Sequence, residues 1–449
     1  MSEARAAYVA RRDAVLAFMR AQGSAVPLGL AKNTSNLFRD RSEGSKQRLD
    51  LHDFRHVVEV NTEAGWVDVE GLCTYEDLAA ATLPHGMMPA VVPQLKTITI
   101  GGAAAGVGIE ATSFRQGLVH DTLLEMDVLL PHGELVTAAP DNDRRDLFFG
   151  FPNSYGTLGY ALRLRARVVP VQPFVRVEHA RVREPAAFFD LLAERCTGPA
   201  DFVDGVVFNA NEYVVNTGGF VAEAPWRSDY TYEKIYYKSL LEKQVDYLTT
   251  PDYIWRWDTD WFWCSKNLFA QNPVVRRLLG RERLNSRTYT RVMRFNSKWG
   301  FTRRLARLRG RFPESVIQDV DIPLARAPEF LAFFMREVGV LPIWICPIGP
   351  AQHDNRFPLY SMQSEGLYIN FGFWDVVEST TGHEPGHFNR LIENKVLELG
   401  GIKSLYSESY FDRETFARAY AIDRYQALKA KYDPQHRALD LYDKCVLRA

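Results

Sequence analysis

PQLKTITIGGAAAGVGIE, residues 93–110, carries four glycines and three alanines between an alternating segment and a glutamate. Thr97-Ile98-Thr99-Ile100 alternates small polar with apolar side chains, the period of a half-buried strand, which Gly101-Gly102 then ends. Gly101, Gly102, Gly106 and Gly108 leave a run of backbone with almost no side-chain cover, as close approach of a flat or anionic ligand requires. A tight bend where two backbones pack is the alternative. A phosphate loop needs Lys and Ser/Thr after its last glycine, and a dinucleotide fingerprint needs a third glycine and a helix. Gly106-Val107-Gly108-Ile109 offers neither. Just downstream, EMDVLLPHGELVTA (125–138) reads as two strands turning at Pro131-His132-Gly133, so the surroundings are antiparallel rather than βαβ.

Working outward, residues 4–22 form an amphipathic helix with Tyr8, Val15, Leu16, Phe18 and Met19 among arginines. The polar loop PLGLAKNTSNLFR (27–39) offers N–H groups and the cations Lys32 and Arg39 to a pyrophosphate, or is a plain turn. Short strands are expected at Leu49–Leu51, Val57–Val60 and Trp66–Glu70, and a helix at Tyr75–Leu83. After the hairpin, Asp146–Phe149 is a helical turn, and Gly156-Thr157-Leu158-Gly159 makes a second glycine turn feeding a strand from Tyr160 to Val169. Two glycine turns on one sheet favour a shared ligand.

Patterning changes near Pro170, which places a boundary at about 175. Strands are expected at Phe202–Asn209, Tyr213–Phe220, Ile343–Ile348 and Gly366–Phe373, and helices at Pro185–Glu194, Ala327–Val338 and His387–Leu399. The whole is therefore α+β. DYIWRWDTDWFWCSKNLF (252–269) walls an apolar pocket or fills a core. Arg276, Arg277, Arg281 and Arg283, then Arg303, Arg304, Arg307, Arg309 and Arg311 around Leu305 and Leu308, suit either an anionic bilayer surface or a solvated face. A single Asp-capped helix is expected over Asp412–Tyr432.

At 449 residues the chain holds two or three domains, and a net charge of -1 does not recommend nucleic acid as a partner. The five cysteines (73, 196, 264, 346, 445) are scattered without ligand spacing, so neither a metal site nor a disulfide framework is expected, and a reducing, cytoplasmic setting follows. Ala14–Met19 is too short for a signal peptide or a span.

The order of KNTSNLFR, the 93–110 turn, GLVHDTLLEMDVLLPHGELV and DLFFGFPNSYGTLGY resembles the PCMH-type FAD domain of the vanillyl-alcohol-oxidase superfamily. The chain is more closely similar to the FAD-dependent Δ24-sterol reductases, through VLPIWICPI (340–348), LYSESYFDRETF (405–416) and LYDK (441–444). That resemblance implies a two-subdomain FAD-binding domain over 1–175, an α+β substrate domain over 176–410 and a segment over 411–449 returning to the first. It implies Lys32, Asn33, Thr34, Ser35, Asn36 and Leu37 on the pyrophosphate, and Gly101, Gly102, Gly106, Gly108 and Ile109 along flavin and ribityl. Gly117, Gly156, Thr157 and Gly159 complete the seat, with Thr97 and His120 in the same set. Covalent relatives attach flavin through a His in the first loop, and residues 27–39 have none, so non-covalent FAD is expected. NADPH is the implied reductant. The sterol reductases carry a membrane-spanning N-terminus, a pattern missing from these residues. That turns the expectation toward a similar bacterial group, which reduces a 10-methylene fatty acyl chain of a phospholipid to 10-methyl in tuberculostearate synthesis, with peripheral membrane contact through Arg303–Arg311.

Reducing an isolated alkene requires an acid, since hydride alone would leave an unstabilised carbanion. The candidates are Glu110, directly after the glycine turn, then Glu365, Tyr368 and Glu408, with Arg115 as a possible ionic partner of Glu110. Rival classes are an alcohol oxidase or dehydrogenase on the same fold and a lipid carrier without cofactor.

Overall fold

The computed structural model describes residues 2–21, 28–31, 47–299, 310–349, 357–362 and 366–448. Lys32–Leu37, Glu365 and Arg303–Arg309 lie outside them. Two antiparallel sheets organise the chain, in agreement with the α+β expectation. The first runs in the order Val57–Asn61, Trp66–Glu70, Tyr160–Pro170, Leu123–Leu129, Leu135–Ala138, with Met87–Pro89 paired to the far end of the 160–170 strand. The hairpin closes at Pro131–Gly133, where Gly133 takes φ +95° and donates to Leu130 O at 2.9 Å. The helix Glu3–Ala21 buries Tyr8, Val15 and Met19, and the Tyr8 hydroxyl donates to Asp127 at 2.7 Å.

Thr97–Ile100 does not form the strand its alternation predicts. Thr99 caps a short helix, Ile100–Ala105, with its side-chain oxygen accepting from Gly102 N at 3.2 Å. Four alternating residues carry less weight than a good cap followed by alanines. Gly101 permits the close packing: its N–H donates to Gly71 O at 2.9 Å, and a Cβ there would lie 2.6 Å from that oxygen.

The second sheet has eight strands in the order Val245–Thr249, Phe174–Val182, Glu212–Val221, Phe202–Asn209, Ile343–Ile348, Tyr368–Ser379, Phe312–Pro323, Ile402–Lys403. The strands 174–182, 245–249, 312–323 and 402–403 are additional to those expected. Helices Pro185–Thr197, Ala327–Glu337 and His387–Glu398 cover one face, over a core containing Phe188, Leu192, Phe330, Phe334, Ile392 and Val396. The other face turns toward the first sheet, and there Trp257, Phe262, Trp263 and Trp344 pack in a shared core. The aromatic segment is therefore mostly core; Trp255 alone of its four tryptophans is half-buried.

In place of one helix over Asp412–Tyr432 there are two, Arg413–Ala419 and Ile422–Tyr432, separated at Ala421 by a left-handed residue with φ +46°. Asp412 caps the first, accepting from Thr415 N at 2.8 Å.

Candidate functional site

The two glycine turns are sewn together by backbone bonds. Asn153 N donates to Gly106 O at 3.2 Å, Tyr155 N to Ala105 O at 2.8 Å, and Val119 N to Gly108 O at 2.9 Å. Gly101, Gly102, Gly106, Gly108, Ile109, His120, Gly156, Thr157 and Gly159 thus belong to one assembly, with Gly117 at the entry of the Val119–Thr122 turn. His120 is buried, its ring 4.3 Å from that of Phe357. Two lysines, Lys429 buried and Lys444 half-buried, hold the second turn from the C-terminal segment: Lys429 Nζ donates to Thr157 O at 2.7 Å and Lys444 Nζ to Tyr155 O at 2.6 Å.

Opposite the turns, a row of polar residues crosses the eight-stranded sheet on the face away from its helices. His179 pairs with Asn216, and Asn216 with Asp204; Gly205 pairs with Ile345, which puts Asp204 beside Cys346. Cys346 then pairs with Asn370, and Asn370 with Asp321. All six are buried. Each finds a polar partner: His179 Nδ1 meets Asn216 Oδ1 at 2.8 Å, Asn216 donates to Asp204 at 2.7 Å, and Asn370 donates to Asp321 at 2.7 Å. Cys346 Sγ donates to the Glu110 carbonyl at 3.2 Å, tying the row to the end of the glycine stretch. Alternating strands bury such a row only when a second layer covers it.

Glu110 is buried, and its partner is Arg256 rather than Arg115. Arg256 Nη2 donates to Glu110 Oε1 at 2.8 Å and to Asp204 Oδ2 at 2.9 Å, with its guanidinium 4.1 Å from the Tyr253 ring. Arg115 instead donates to the carbonyls of Gly198 and Ala200, both at 2.9 Å. One cation thus faces two carboxylates in a dry site. Burial pushes the Glu110 carboxyl up, so a proton on it brings the cluster to neutrality, and Oε2 has no hydrogen-bond partner.

A second acidic group was not anticipated. Asp319 and Asp321 stand two residues apart on the 312–323 strand, facing the glycine turns. Burial raises Asp319 to about 7 and Asp321 to about 6. Tyr360 donates to Asp321 Oδ2 at 2.7 Å. Tyr406 hydrogen-bonds Asp319 and accepts from the Trp374 indole at 3.0 Å, while Asp319 Oδ1 has no partner. Ser404 N donates to Asp319 O at 3.1 Å, and Ser404 Oγ lies 3.1 Å from Tyr155 Oη. Tyr155 begins the second glycine turn, so the Asp319 backbone is joined to the seat in two contacts. Gly372, paired with Asp319, leaves the room: a Cβ there would come within 2.8 Å of Asp319 Oδ1. Tyr368 lies on the same face of its strand and is buried, two residues before Asn370. Glu408 is spent on Tyr410, whose hydroxyl donates to it at 2.7 Å.

Between turns and row, the backbone at Gly102 is exposed, and Gly101, Ala105, Val107, Tyr155, Asp319 and Tyr406 are only half-buried. Gln94 Nε2, Thr97 Oγ1, Asn153 Oδ1, Ser154 Oγ and Asn370 Oδ1 are buried without partners. Open backbone bordered by unpaired donors and acceptors fits a flat, polar-edged ring system such as a flavin, which presents carbonyls and ring nitrogens along one edge. Gly101→Ala tests the packing: its Cβ meets backbone that has no rotamer to move, so stability falls by about 1–3 kcal/mol in urea melts. Bound flavin absorbance falls with it.

Residues 5–139 match the FAD binding domain family. The chain is 26% identical to the Δ24-sterol reductase of Arabidopsis thaliana, an alignment spanning 88% of this chain and 76% of that protein. It is 27% identical to the Δ24-sterol reductase of Homo sapiens, across 86% and 75% respectively. Cytokinin dehydrogenase 7 of Oryza sativa subsp. japonica is 33% identical over 156 residues, 33% of this chain.

Proposed function

We propose, on the premise that this chain is an FAD-dependent oxidoreductase carrying an FAD-binding domain, that it reduces an isolated carbon–carbon double bond in an apolar lipid, with NADPH as electron donor. A sterol side chain comes first among substrates because the relatives that span the chain are sterol reductases; a 10-methylene fatty acyl chain comes second, on resemblance alone. FAD held non-covalently against the glycine turns supplies hydride when reduced. Lys32–Leu37 are proposed for its pyrophosphate, and the divisions 1–175, 176–410 and 411–449 for cofactor seat, substrate cover and returning segment.

Asp319 carries the reading. An alkene with no conjugated carbonyl needs its proton before or together with hydride, so the chain must hold an acid in a site poor in water. A carboxyl raised to about 7 keeps its proton below that pH and holds a substantial share of it at neutrality, and Asp319 Oδ1 has no partner to which its proton is committed. Tyr406, held by the Trp374 indole, fixes the carboxyl's orientation. Glu110 is the second candidate donor. Its Oε1 is held by Arg256, so its part is to keep the floor of the site neutral and dry unless Glu110→Gln stops turnover.

Anaerobic incubation with NADPH, a Δ24-sterol and a 10-methylene phospholipid, followed by mass analysis, tests the assignment. A gain of two hydrogens in the sterol is expected. A gain in the phospholipid alone moves the substrate to the acyl chain. Peroxide release on aeration with an alcohol, and no lipid reduction, sinks the reductase reading.

A further inference from the structure

Large apolar side chains in the open are concentrated in one short segment. Phe269, Val274 and Leu278 are 79%, 63% and 78% exposed, more than any other apolar side chain of comparable size among the described residues. Val274 and Leu278 are four residues apart on the helix Pro273–Leu279, hence on one face. Phe269 projects from left-handed backbone, φ +56°, a conformation that is costly for a bulky residue.

The same segment is basic. From Pro273 to Val292 there are six arginines and one acid, Glu282, in a chain whose net charge is -1. Arg276 is buried; Arg277, Arg281, Arg283, Arg287 and Arg291 are exposed. Glu233, Asp229 and Glu76 pair with Arg277, Arg281 and Arg287 at the surface, contacts that water and salt screen and that an anionic headgroup can replace. Exposed aromatic and aliphatic side chains among cations are the composition of a face that enters the headgroup layer of an anionic bilayer. A protein partner is less well matched, because three apolar residues amid five arginines make too small an apolar centre for a stable interface.

A cleft of about 330 Å³ opens at the root of this segment, lined by Arg281, Leu284 and Asn285 on one side and by Lys96, Trp255 and Arg256 on the other. Lys96 directly precedes Thr97, and Arg256 is the partner of Glu110. The cleft thus leads from the basic, apolar face toward the glycine stretch. We propose that residues 269–292 dock this protein on an anionic lipid surface, and that the cleft is where a lipid leaves the bilayer for the site. The delivery step rests on the lipid reading above; docking does not.

Sedimentation of the FAD-loaded full chain with vesicles tests docking without any turnover. With phosphatidylcholine containing phosphatidylglycerol the protein is expected to pellet, about ten-fold or more above pure phosphatidylcholine, and to be released by salt. Phe269→Ser/Leu278→Ser, both fully accessible positions, is expected to lose at least about ten-fold in vesicle affinity while retaining its flavin spectrum and its activity on detergent-dispersed substrate. Absence of pelleting with anionic vesicles overturns the proposal, as does equal pelleting of the double variant. A concentration-dependent dimer that the double variant abolishes, with no vesicle binding, also overturns it and assigns the face to a second copy of the chain.

Discussion

Asp319→Asn is expected to lose alkene reduction by roughly 10²- to 10⁴-fold while keeping its bound FAD, because an amide of the same shape has no transferable acid proton. Reduction of the bound flavin by NADPH, followed separately in a stopped-flow instrument, stays near its normal rate; a parallel loss there would mean that Asp319 shapes the cofactor rather than the proton transfer. The pH dependence has a definite sign. The carboxyl sits at about 7 in the fold against 3.8 in the open chain, so the folded state keeps a proton between those values that the unfolded state has shed. Activity through Asp319 is present below about pH 7 and falls about ten-fold per unit above it. Stability follows the same direction: it declines as pH rises from about 4 to about 7, by up to about 4 kcal/mol in the limit that the group is fully sequestered. Asp319→Asn lacks that decline, so its urea midpoint at pH 8 exceeds that of the unchanged chain. A variant less stable at pH 8 than at pH 5 by the original margin would falsify the assignment.

Arg256→Met is the larger test of the fold. It removes the cation from between Glu110 and Asp204 and leaves two carboxyls facing each other in an apolar site, at a cost of about 3–5 kcal/mol. The loss depends on pH in a known direction. Without the guanidinium nothing opposes the burial that raises Glu110, so the penalty grows as pH rises through the carboxylate range and shrinks as it falls. Urea unfolding at pH 4 and pH 8 measures both arms. The double variant Arg256→Met/Glu110→Gln recovers part of the loss, since one of the two like charges has gone. Equal stability of Arg256→Met and the unchanged chain at pH 8 rules out a charged cluster there.

Much of the cofactor seat was legible in the sequence because it is built from local signals. Gly133 after Pro131-His132 marks a turn whatever the surroundings, and the second glycine turn at 156–159 announces itself in the same way. The first turn was legible in position and misread in form: Thr97–Ile100 has the period of a strand, and only the Thr99 cap and the contact of Gly101 with Gly71 make it the start of a helix. The acidic part of the site left no local trace. Asp319 and Asp321 occupy the polar half of an alternation that ordinarily marks a solvated face. Their burial follows from Tyr360 and Tyr406, brought over that face from later in the chain, which no window of the 312–323 strand contains. The same holds for the row from His179 to Asp321, drawn from six strands spread over residues 174–379 and aligned only by register. Arg256 was hidden differently: it stands among tryptophans that draw the reading toward packing, although a lone cation in such a run signals a buried acid elsewhere.

The lysines that grip the second glycine turn have a consequence for the order of events in the cell. Lys429 reaches back 272 residues to Thr157 and Lys444 reaches back 289 to Tyr155. At roughly 5–20 residues per second a ribosome takes roughly 15–60 s between making the turn and making its clasps. For that interval the second turn has its backbone bonds to the first but lacks the two lysines that hold its own carbonyls. A chain ending before Lys429 is therefore expected to hold FAD more weakly than the full chain, which flavin absorbance after gel filtration measures.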